Sequence, residues 1–294
     1  MSIIVNKDTK VLVQGMTGRS GTFYSDAAMR YGSTYVAGVR PGKGGGRHLG
    51  LPLFDSVAEA KSETGANASL VVVPAHGAAA AILESIEAEV GVIVCITERV
   101  PVHDMVNVKA ALNGSDSLLI GPNSQGVLVP GVCKIGVMST ADASHGCIGI
   151  ASRSASLASE IVAQTTRAGL GQSTTVGIGG DPIHGIGFVE CLKSFREDPA
   201  TQGVILVGEL GGDEEEQAAA YLSDSGYEKP VVSIIVGRHA PPERRMGHAG
   251  ALSVFGTGSV GRKVELLCEA GSVAVQNPDE IAGALKAALA ERQN

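Results

Sequence analysis

A histidine set among glycines is the residue of this sequence best suited to covalent chemistry. His248 lies in the stretch APPERRMGHAGALS, with Gly247 before it and Ala249 and Gly250 after it. Such small neighbours leave an imidazole ring with little cover, so the ring is either idle or open to a reactant. A neutral imidazole is a nucleophile at neutral pH and can carry a phosphoryl group as a covalent intermediate. His248 is therefore our candidate nucleophile, and the other histidines lack such a setting.

Two strand ends in the second half of the chain offer groups that such a histidine would use. Glu209 comes near the end of the apolar run GVILVGEL and precedes two glycines. A carboxylate there could hydrogen-bond an imidazole and stabilise the imidazolium. A turn of small residues also follows the run CIGIAS, where N–H groups at the positive end of a helix would suit a phosphoryl group. A serine in such a turn could equally do no more than cap the helix. The turn consists of Arg153, Ser154, Ala155 and Ser156.

Two glycine-rich turns in the first half suit a ligand with several phosphates. VLVQGMTGRSGTF places Gly15, Gly18 and Gly21 between a strand and a helix, where the backbone can approach a phosphate. The spacing is GxxGxxG rather than GxGxxG, and no acidic residue ends the second strand to bind a ribose diol. Arg40 and Lys43 stand there instead, beside three successive glycines, which favours NADP or coenzyme A. Either turn alone could equally be a solvated surface loop.

A polar pair follows the fourth apolar run. Thr97 and Glu98 stand in ITERVP, after the run VGVIVCIT. Ligands of open parallel sheets bind beyond the carboxyl ends of the strands, so these residues are candidate ligand contacts. Taken alone, the pair also fits an ordinary helix start.

The elements that must position these residues alternate regularly along the chain. Apolar runs without polar alternation predict strands buried on both faces, and the Ala-rich stretches between them predict helices of βαβ units. The fold class is therefore α/β, with mainly parallel sheets. We predict a doubly wound unit over 1–122, a connection with short extended pieces over 123–146, and a second α/β unit over 147–294. The predicted strands are 10–15, 34–39, 68–74, 90–97, 117–122, 147–152, 174–180, 203–210, 230–237 and 271–276.

Composition excludes several classes of protein. A net charge of −7 provides no basic field, so we expect neither nucleic acid nor a membrane surface as a partner. No run reaches the ~18 apolar residues of a membrane span. The five cysteines are widely spaced, without the spacing of metal ligands, so we expect no metal site in this chain and a reducing, cytoplasmic location.

The motifs together resemble a known family. VQGMTGRSGTF, PGKGG, ITERVP, GPNSQGV, IASRSASL, VGIGGDPI, GELGGDEEEQAAAY and RRMGHAGA follow the order and spacing found in α subunits of succinate–CoA ligases, over essentially the whole chain. The resemblance implies an N-terminal Rossmann-like CoA-binding domain and a C-terminal flavodoxin-like ligase domain. It also implies an ADP- or GDP-forming acid–CoA ligase of the tricarboxylic acid cycle type. The partner would be a β subunit with an ATP-grasp fold that binds ATP or GTP and Mg²⁺, in an αβ or α₂β₂ complex.

The resemblance also implies roles for individual residues. His248 matches the phosphorylated histidine, Glu209 its stabilising carboxylate, and the turn from Ser154 to Ser156 the helix start that faces it. Phosphate would move through phospho-His248 to an acyl phosphate, which the CoA thiol then attacks, while Arg153 and the helix N-termini offset the charge. The positions that match the CoA site are Thr17, Gly18, Arg19, Ser20, Gly21, Lys43, Ile96, Thr97 and Glu98, and Gly15 of the glycine turn is a further candidate contact.

Two departures from the family pattern fall where acid and thiol would meet. The family's GPNCPG is GPNSQG here, so that Ser124 and Gln125 follow Asn123. Ser159 stands where succinate enzymes carry a tyrosine that is taken to contact the substrate. Losing a ring and gaining an amide predict an acid larger or more polar than succinate, such as malate, itaconate, citrate or a sulfonated or sulfinated acid. Succinate in an unchanged pocket stays open. All four residues are candidate acid contacts.

Two other functions remain open from the residues alone. A CoA-binding regulatory protein could keep the fold without ligase activity, although the intact glycine context of His248 argues against it. An NADP-dependent oxidoreductase would use the first half, but no acidic or aromatic cluster for a nicotinamide is visible. Phosphate labelling of the chain would separate the ligase from both alternatives.

Overall fold

The computed structural model describes residues 4–241, 244–252 and 258–292. These residues form two seven-stranded sheets with helices packed on their faces. The first unit contains β1 (Lys10–Gln14), α1 (Arg19–Tyr31), β2 (Thr34–Val39), β3 (Arg47–His48), β4 (Leu51–Phe54), α2 (Val57–Thr64), β5 (Ala68–Val71), α3 (Ala75–Glu87), β6 (Val92–Cys95), α4 (Val102–Leu112) and β7 (Leu118–Ile120). The second contains β8 (Gly126–Val129), β9 (Cys133–Gly136), β10 (His145–Ser152), α5 (Ala155–Arg167), β11 (Gln172–Gly177), α6 (Phe188–Glu197), β12 (Gly203–Glu209), α7 (Glu214–Ser225), β13 (Val231–Val236), α8 (Val260–Glu269), β14 (Val273–Val275) and α9 (Ile281–Glu291).

The first sheet has the winding of a dinucleotide-binding fold. Its order is β3-β4-β2-β1-β5-β6-β7, and every pair is parallel except β3 with β4. β1 pairs with β2 on one side and β5 on the other, so the winding reverses there. A reversal point of this kind opens a crevice beyond the carboxyl ends of the two strands. The α/β class and the Rossmann-like first unit are confirmed.

The second sheet reverses its winding in the same way. Its order is β14-β13-β12-β10-β11-β8-β9, and the five strands from β14 to β11 pair in parallel. β10 lies between β11 and β12, the flavodoxin-like arrangement, so the crevice opens between β10 and β12. The short extended pieces predicted in 123–146 are β8 and β9, which add to this sheet as antiparallel edge strands.

One loop ties the second unit to the first. The backbone N–H of Gly185 donates to Gly121 O at 2.9 Å, and that of Ile186 donates to Leu119 O at 2.8 Å. The ammonium group of Lys109 on α4 donates a hydrogen bond to Gly185 O at 2.7 Å. The loop after β11 therefore runs along the end of β7, which brings the carboxyl ends of both sheets towards one another. No helix in the described part of the chain combines the length and the apolar character needed to cross a membrane.

A buried ion pair joins α7 and α8 to the end of β12. Lys263 is fully buried, and its ammonium contacts the carboxylate of Glu215, which is also buried. Lys263 Nζ donates to Gly211 O at 2.6 Å, and Glu215 Oε1 accepts the backbone N–H of Glu209 at 2.9 Å. Burial raises the pKa of the Glu215 carboxyl, and the Lys263 charge opposes that rise. The pair therefore fixes the backbone on both sides of Glu209.

Replacing Lys263 with methionine should destabilise the chain strongly. The variant leaves Glu215 buried without its counter-charge, and removing one partner of a buried pair costs about 3–5 kcal/mol. We expect that loss in the free energy of unfolding, measured by urea denaturation. Lys286→Met is the matched control, since Lys286 is exposed and its change should stay within about 0.5 kcal/mol. Equal stability of the two variants would contradict this account of the pair.

Candidate active site

The strand register of the second sheet brings two charged side chains to one crevice. β10 and β12 are parallel neighbours with Ser152 opposite Val207. Arg153 continues this pairing, because its backbone N–H donates to Val207 O at 3.0 Å. Arg153 and Glu209 therefore leave adjacent strands at the reversal point of the winding, where ligands of such sheets bind.

His248 is held by Glu209. The imidazole Nδ1 lies 2.7 Å from Glu209 Oε2. A carboxylate oxygen can only accept, so the proton sits on Nδ1 and Nε2 keeps its lone pair. The Glu209 side chain is 6% exposed, whereas that of His248 is 32% exposed. The hydrogen bond to Glu209 raises the pKa of His248 above its usual range, against the effect of burial. The geometry therefore provides an oriented and accessible nucleophilic nitrogen.

The imidazole ring rests directly on backbone. A Cβ at Gly180 would lie 2.3 Å from His248 Cγ, so only glycine leaves room for the ring there. Gly250 N–H donates to Gly180 O at 3.2 Å, which attaches the histidine loop to the loop after β11. Gly247 adopts a φ of +73°, a conformation that side chains disfavour. The glycines around His248 thus serve the approach of the ring to Gly180 as well as its exposure.

Arg153 lies beside Glu209. Its Nη2 is 3.1 Å from Glu209 Oε1, close enough for an ion pair although not aligned as a hydrogen bond. Arg153 is 4% exposed, so both members of this pair are buried. The guanidinium charge lowers the pKa of His248 and so partly offsets the effect of the carboxylate. Arg153 thereby balances charge on the far side of Glu209.

The serine turn at the start of α5 is a capped helix end. Ser154 Oγ accepts the N–H of Leu157 at 3.3 Å, which makes Ser154 the N-cap. Ser152 Oγ accepts the N–H of Ser154 at 3.1 Å and fixes the turn. Ala155 and Ser156 are exposed in the first helical turn, whose N–H groups have no carbonyl partner within the helix. This helix end lies next to the Arg153–Glu209 pair along the chain.

Asp181 is a charged residue of the site that sequence reasoning missed. It follows Gly180 and is 3% exposed. Asn123 Nδ2 donates to Asp181 Oδ1 at 3.1 Å, while Oδ2 has no hydrogen-bond partner among the described residues. Burial raises the pKa of this carboxyl, and the nearby His248 lowers it. The motif VGIGGDPI contained the residue, but no spacing rule marked it.

The crevice of the first sheet contains a large cavity. It has a volume of about 490 Å³ and is lined by residues that follow β1, β2 and β5. Gly15, Thr17 and Gly18 lie on it, together with apolar walls that include Val72 and Val73. Arg40 donates a hydrogen bond to Thr17 Oγ1 at the same cavity. Apolar walls with a few polar groups are typical of a nucleotide site.

The N-terminus of α1 supplies further donors beside this cavity. Gly18 is its N-cap and provides no side-chain cap, so the N–H groups of the exposed residues Arg19 and Ser20 are left without a cap and suit a ligand. A Cβ at Gly21 would lie 2.3 Å from Gly15 O, so glycine is required where the helix packs on the turn.

The remaining predicted CoA contacts do not line this cavity. Lys43 is exposed on the second glycine-rich loop, which is organised by Asp55, a residue that sequence reasoning missed. Asp55 Oδ1 accepts the N–H groups of Gly44 at 2.8 Å and Lys43 at 3.0 Å, and these bonds hold the pKa of Asp55 below its usual range. Thr97 donates its hydroxyl to Val73 O at 2.7 Å. Ile96 and Glu98 flank Thr97 at the end of β6.

The four candidate acid contacts have different surroundings. Ser124 is 4% exposed and joins β8 to β11, since its hydroxyl donates to Gly177 O and accepts the N–H of Gly126 at 2.8 Å. Gln125 is also buried, at 6% exposed. Ser159 is exposed on α5, with its hydroxyl turned back to Ala155 O at 3.1 Å. Asn123 contacts Asp181, as described above.

The sequence matches two family models in the same order as the two crevices. Residues 6–99 match the CoA binding domain, and residues 151–273 match the CoA-ligase family. Together with the two sheets, these matches define a CoA-dependent ligase.

Relatives that align over nearly the whole chain identify its family more specifically. Over 283 residues it is 48% identical to the succinate–CoA ligase [ADP-forming] subunit α of Aquifex aeolicus, with 96% of this chain and 92% of that protein covered. The same subunit of Staphylococcus aureus is 46% identical over 291 residues, covering 99% and 96%. The chain therefore belongs to the family of succinate–CoA ligase α subunits, and it is an acid–CoA ligase chain.

Solved structures share the fold at lower identity. The ATP citrate lyase of Methanothrix soehngenii, solved with citrate and coenzyme A, superposes with a TM-score of 0.89 at 20% identity, covering 99% of this chain and 51% of that longer chain. The acetyl-coenzyme A synthetase 1 of Ca. Korarchaeum cryptofilum superposes with a TM-score of 0.78 at 20% identity, covering 96% and 61%. These likenesses extend over both units of the chain.

Replacing Glu209 with glutamine should lower the pKa of His248. The hydrogen bond and charge of Glu209 are the main causes that raise that pKa, whereas burial and Arg153 lower it, so removing the carboxylate leaves only the smaller raising effect of Asp181 against them. The neutral form of the imidazole would then persist to lower pH than in the wild type. NMR titration of the labelled imidazole measures the midpoint. Glu160→Gln, on the exposed face of α5, is the control and should leave the midpoint in place. An unchanged or higher midpoint in Glu209→Gln would refute the assignment.

Proposed function

We propose that this chain is the α subunit of an ADP- or GDP-forming acid–CoA ligase in which His248 Nε2 carries the phosphate. The observation that carries this proposal is the 2.7 Å contact from Nδ1 to Glu209, in a loop that leaves the ring 32% exposed. The contact keeps the proton on Nδ1, so Nε2 is the nitrogen with a lone pair to donate. An idle surface histidine would not need a buried carboxylate with its own buried arginine.

The reaction then proceeds in three displacements. Nε2 attacks the terminal phosphorus of ATP or GTP, the Nε2–P bond forms, and the bond to the nucleoside diphosphate breaks. A carboxylate oxygen of the acid next takes the phosphoryl group, which gives an acyl phosphate and frees His248. The CoA thiol attacks the acyl carbon, phosphate leaves with the thiol proton, and the thioester remains. Each step is reversible.

The chain's own groups stabilise the charge in these steps. Glu209 stabilises the positive charge that spreads over the imidazole when Nε2 binds phosphorus. The N–H groups of Ala155 and Ser156 at the start of α5 would meet the phosphoryl oxygens, as preorganised donors do in phosphoryl transfer. Arg153 pairs its charge with that of the buried Glu209 carboxylate at 3.1 Å. Mg²⁺ bound with the nucleotide would neutralise the phosphate charge on the partner's side.

A β subunit completes this enzyme. The relatives are named as α subunits, which supports a partner that binds the nucleotide, and we propose for it an ATP-grasp fold in an αβ or α₂β₂ complex. The His248 side chain is 32% exposed, so phosphate can reach it from another chain. The five cysteines are free, which supports a reducing, cytoplasmic location.

CoA occupies the first unit in this proposal. Its nucleotide end would lie in the 490 Å³ cavity, with Gly15, Thr17 and the N-terminus of α1 at its phosphates. Lys43 would add a charge from the loop ordered by Asp55. We assign CoA binding to residues 1–122 and phosphate transfer to residues 147–294. The connection between them, residues 123–146, would contribute acid contacts. The acid is succinate or a relative such as malate, itaconate or a sulfo- or sulfino-acid.

Labelling with nucleotide tests the phosphate step. The co-expressed α/β complex with Mg²⁺ and γ-labelled ATP or GTP should acquire acid-labile phosphate on this chain, because a phosphoramidate hydrolyses in acid. His248→Asn should abolish the label, and His145→Asn, at an exposed histidine, should retain it. An undiminished label on His248→Asn would contradict the proposal.

Titration with CoA tests the site in the first unit. Lys43→Ala should weaken binding of CoA by the complex about tenfold or more, since a hydrogen bond to a charged group contributes about 1.5–3 kcal/mol. Isothermal titration calorimetry measures the change, and Lys286→Ala is the control at an exposed position. Equal dissociation constants for the two variants would remove Lys43 from the site.

A further inference from the structure

A small cavity lies between α5 and the antiparallel edge of the second sheet. Its volume is about 20 Å³, which holds about one water-sized group. Gln125 and Thr175 line it from the buried side, at 6% and 0% exposed. Ser139, Asp142 and Ser159 line it from the exposed side, so a ligand can enter from the surface beside α5.

Two buried polar atoms in this lining lack hydrogen bonds. Gln125 Nε2 and Thr175 Oγ1 have no hydrogen-bond partner among the described residues. Leaving a buried polar group unpaired costs about 1–3 kcal/mol, so two in one small cavity indicate a polar group that binds between them. The backbone makes room for the amide, because a Cβ at Gly177 would lie 2.4 Å from Gln125 Cγ. The cavity is therefore built for an oxygen or nitrogen.

The charges around the cavity restrict that group. No lysine, arginine or histidine among the described residues lines it, and Asp142 contributes a carboxylate at the exposed side. A second carboxylate or a sulfonate would lie there without a counter-charge. An ammonium group has no acceptor, so the N–H of Gln125 Nε2 would stay unpaired. An uncharged oxygen accepts from Nε2 and also pairs with the Thr175 hydroxyl, which can donate or accept.

The cavity lies one helical turn from the proposed phosphoryl site. Ser159 follows Ala155 by four residues on α5, so the two share a helix face and are separated by about 6 Å along the axis. Ser159 Oγ donates to Ala155 O at 3.1 Å, so this short side chain does not extend over the cavity. An acid whose reacting carboxylate meets the first turn of α5 would extend its carbon chain towards Gln125 and Thr175.

We propose that the acid carries an uncharged oxygen substituent, a hydroxyl or keto group, that binds between Gln125 Nε2 and Thr175 Oγ1. This inference rests on the ligase function proposed above and narrows its substrate class. It predicts that malate-like or oxaloacetate-like acids are better substrates than succinate. It also predicts that acids with an extra carboxylate or sulfonate are poorer substrates than the malate-like and oxaloacetate-like acids.

Acids of one chain length test the proposal. The α/β complex is assayed for CoA-thioester formation with succinate, both enantiomers of malate, oxaloacetate and sulfosuccinate. We expect kcat/KM for malate or oxaloacetate to exceed that for succinate at least about tenfold, because a site built to hydrogen-bond a substrate group rejects the analogue that lacks it. The two substituted acids distinguish hydroxyl from keto oxygen.

Variants of the cavity show whether these two side chains cause the preference. Thr175→Val and Gln125→Leu keep the volume and remove the hydrogen-bonding atoms, so each should reduce the preference about tenfold, mainly through KM of the substituted acid. Thr175→Ser retains the hydroxyl and should therefore keep the preference for the substituted acid. Thr34→Val and Gln202→Leu, at exposed positions outside the cavity, are the matched controls.

The outcomes separate this inference from the function beneath it. Wild-type complex that labels at His248 but prefers succinate or sulfosuccinate overturns the inference alone. The same holds if the preference survives in both Thr175→Val and Gln125→Leu. Wild-type complex that neither labels nor forms a thioester with any acid overturns the proposed ligase function, and this inference with it.

Discussion

The hydrogen bond between His248 Nδ1 and Glu209 is the contact on which the rest of the site depends. An imidazole on a glycine-rich loop has no fixed orientation of its own, and the buried carboxylate provides it. That carboxylate must itself be held, because a buried charge is unfavourable without partners. The guanidinium of Arg153 balances the charge of the Glu209 carboxylate. The backbone N–H of Glu209 donates to Glu215, whose own charge is balanced by Lys263.

The two sheets share one topological feature, a reversal of winding that opens a crevice. Each reverses its winding beside its first parallel strand, at β1 and at β10, and each opens a crevice at the carboxyl ends of its strands. The loop after β11 joins the crevices, since Gly180 supports the His248 ring while Gly185 pairs with Gly121 at the end of β7. The proposed phosphoryl carrier in one unit and the proposed cofactor site in the other are thus connected through a few residues of backbone.

Membership of the family and choice of acid rest on different parts of the chain. Relatives at 46–48% identity share the two units. The proposed acid contacts, by contrast, involve single side chains such as Gln125 and Ser159, and one substitution there would change hydrogen bonding without changing the fold. The small cavity behind α5 is an example, because Gln125 and Thr175 contribute buried polar atoms to its lining that have no hydrogen-bond partner among the described residues.

The sequence by itself determined the α/β class, the ten main strands and the family, because apolar runs of strand length and glycine spacings are local patterns. It also singled out His248 and Glu209, although they stand 39 residues apart. Only the tertiary structure decided that they touch, that Arg153 lies against Glu209, and that Asp181, Asp55 and the Lys263–Glu215 pair belong to the two sites. Likewise, β8 and β9 became sheet strands through pairing with β11. Strand register and burial arise from contacts between distant segments, and no local pattern encodes a partner that lies far along the chain.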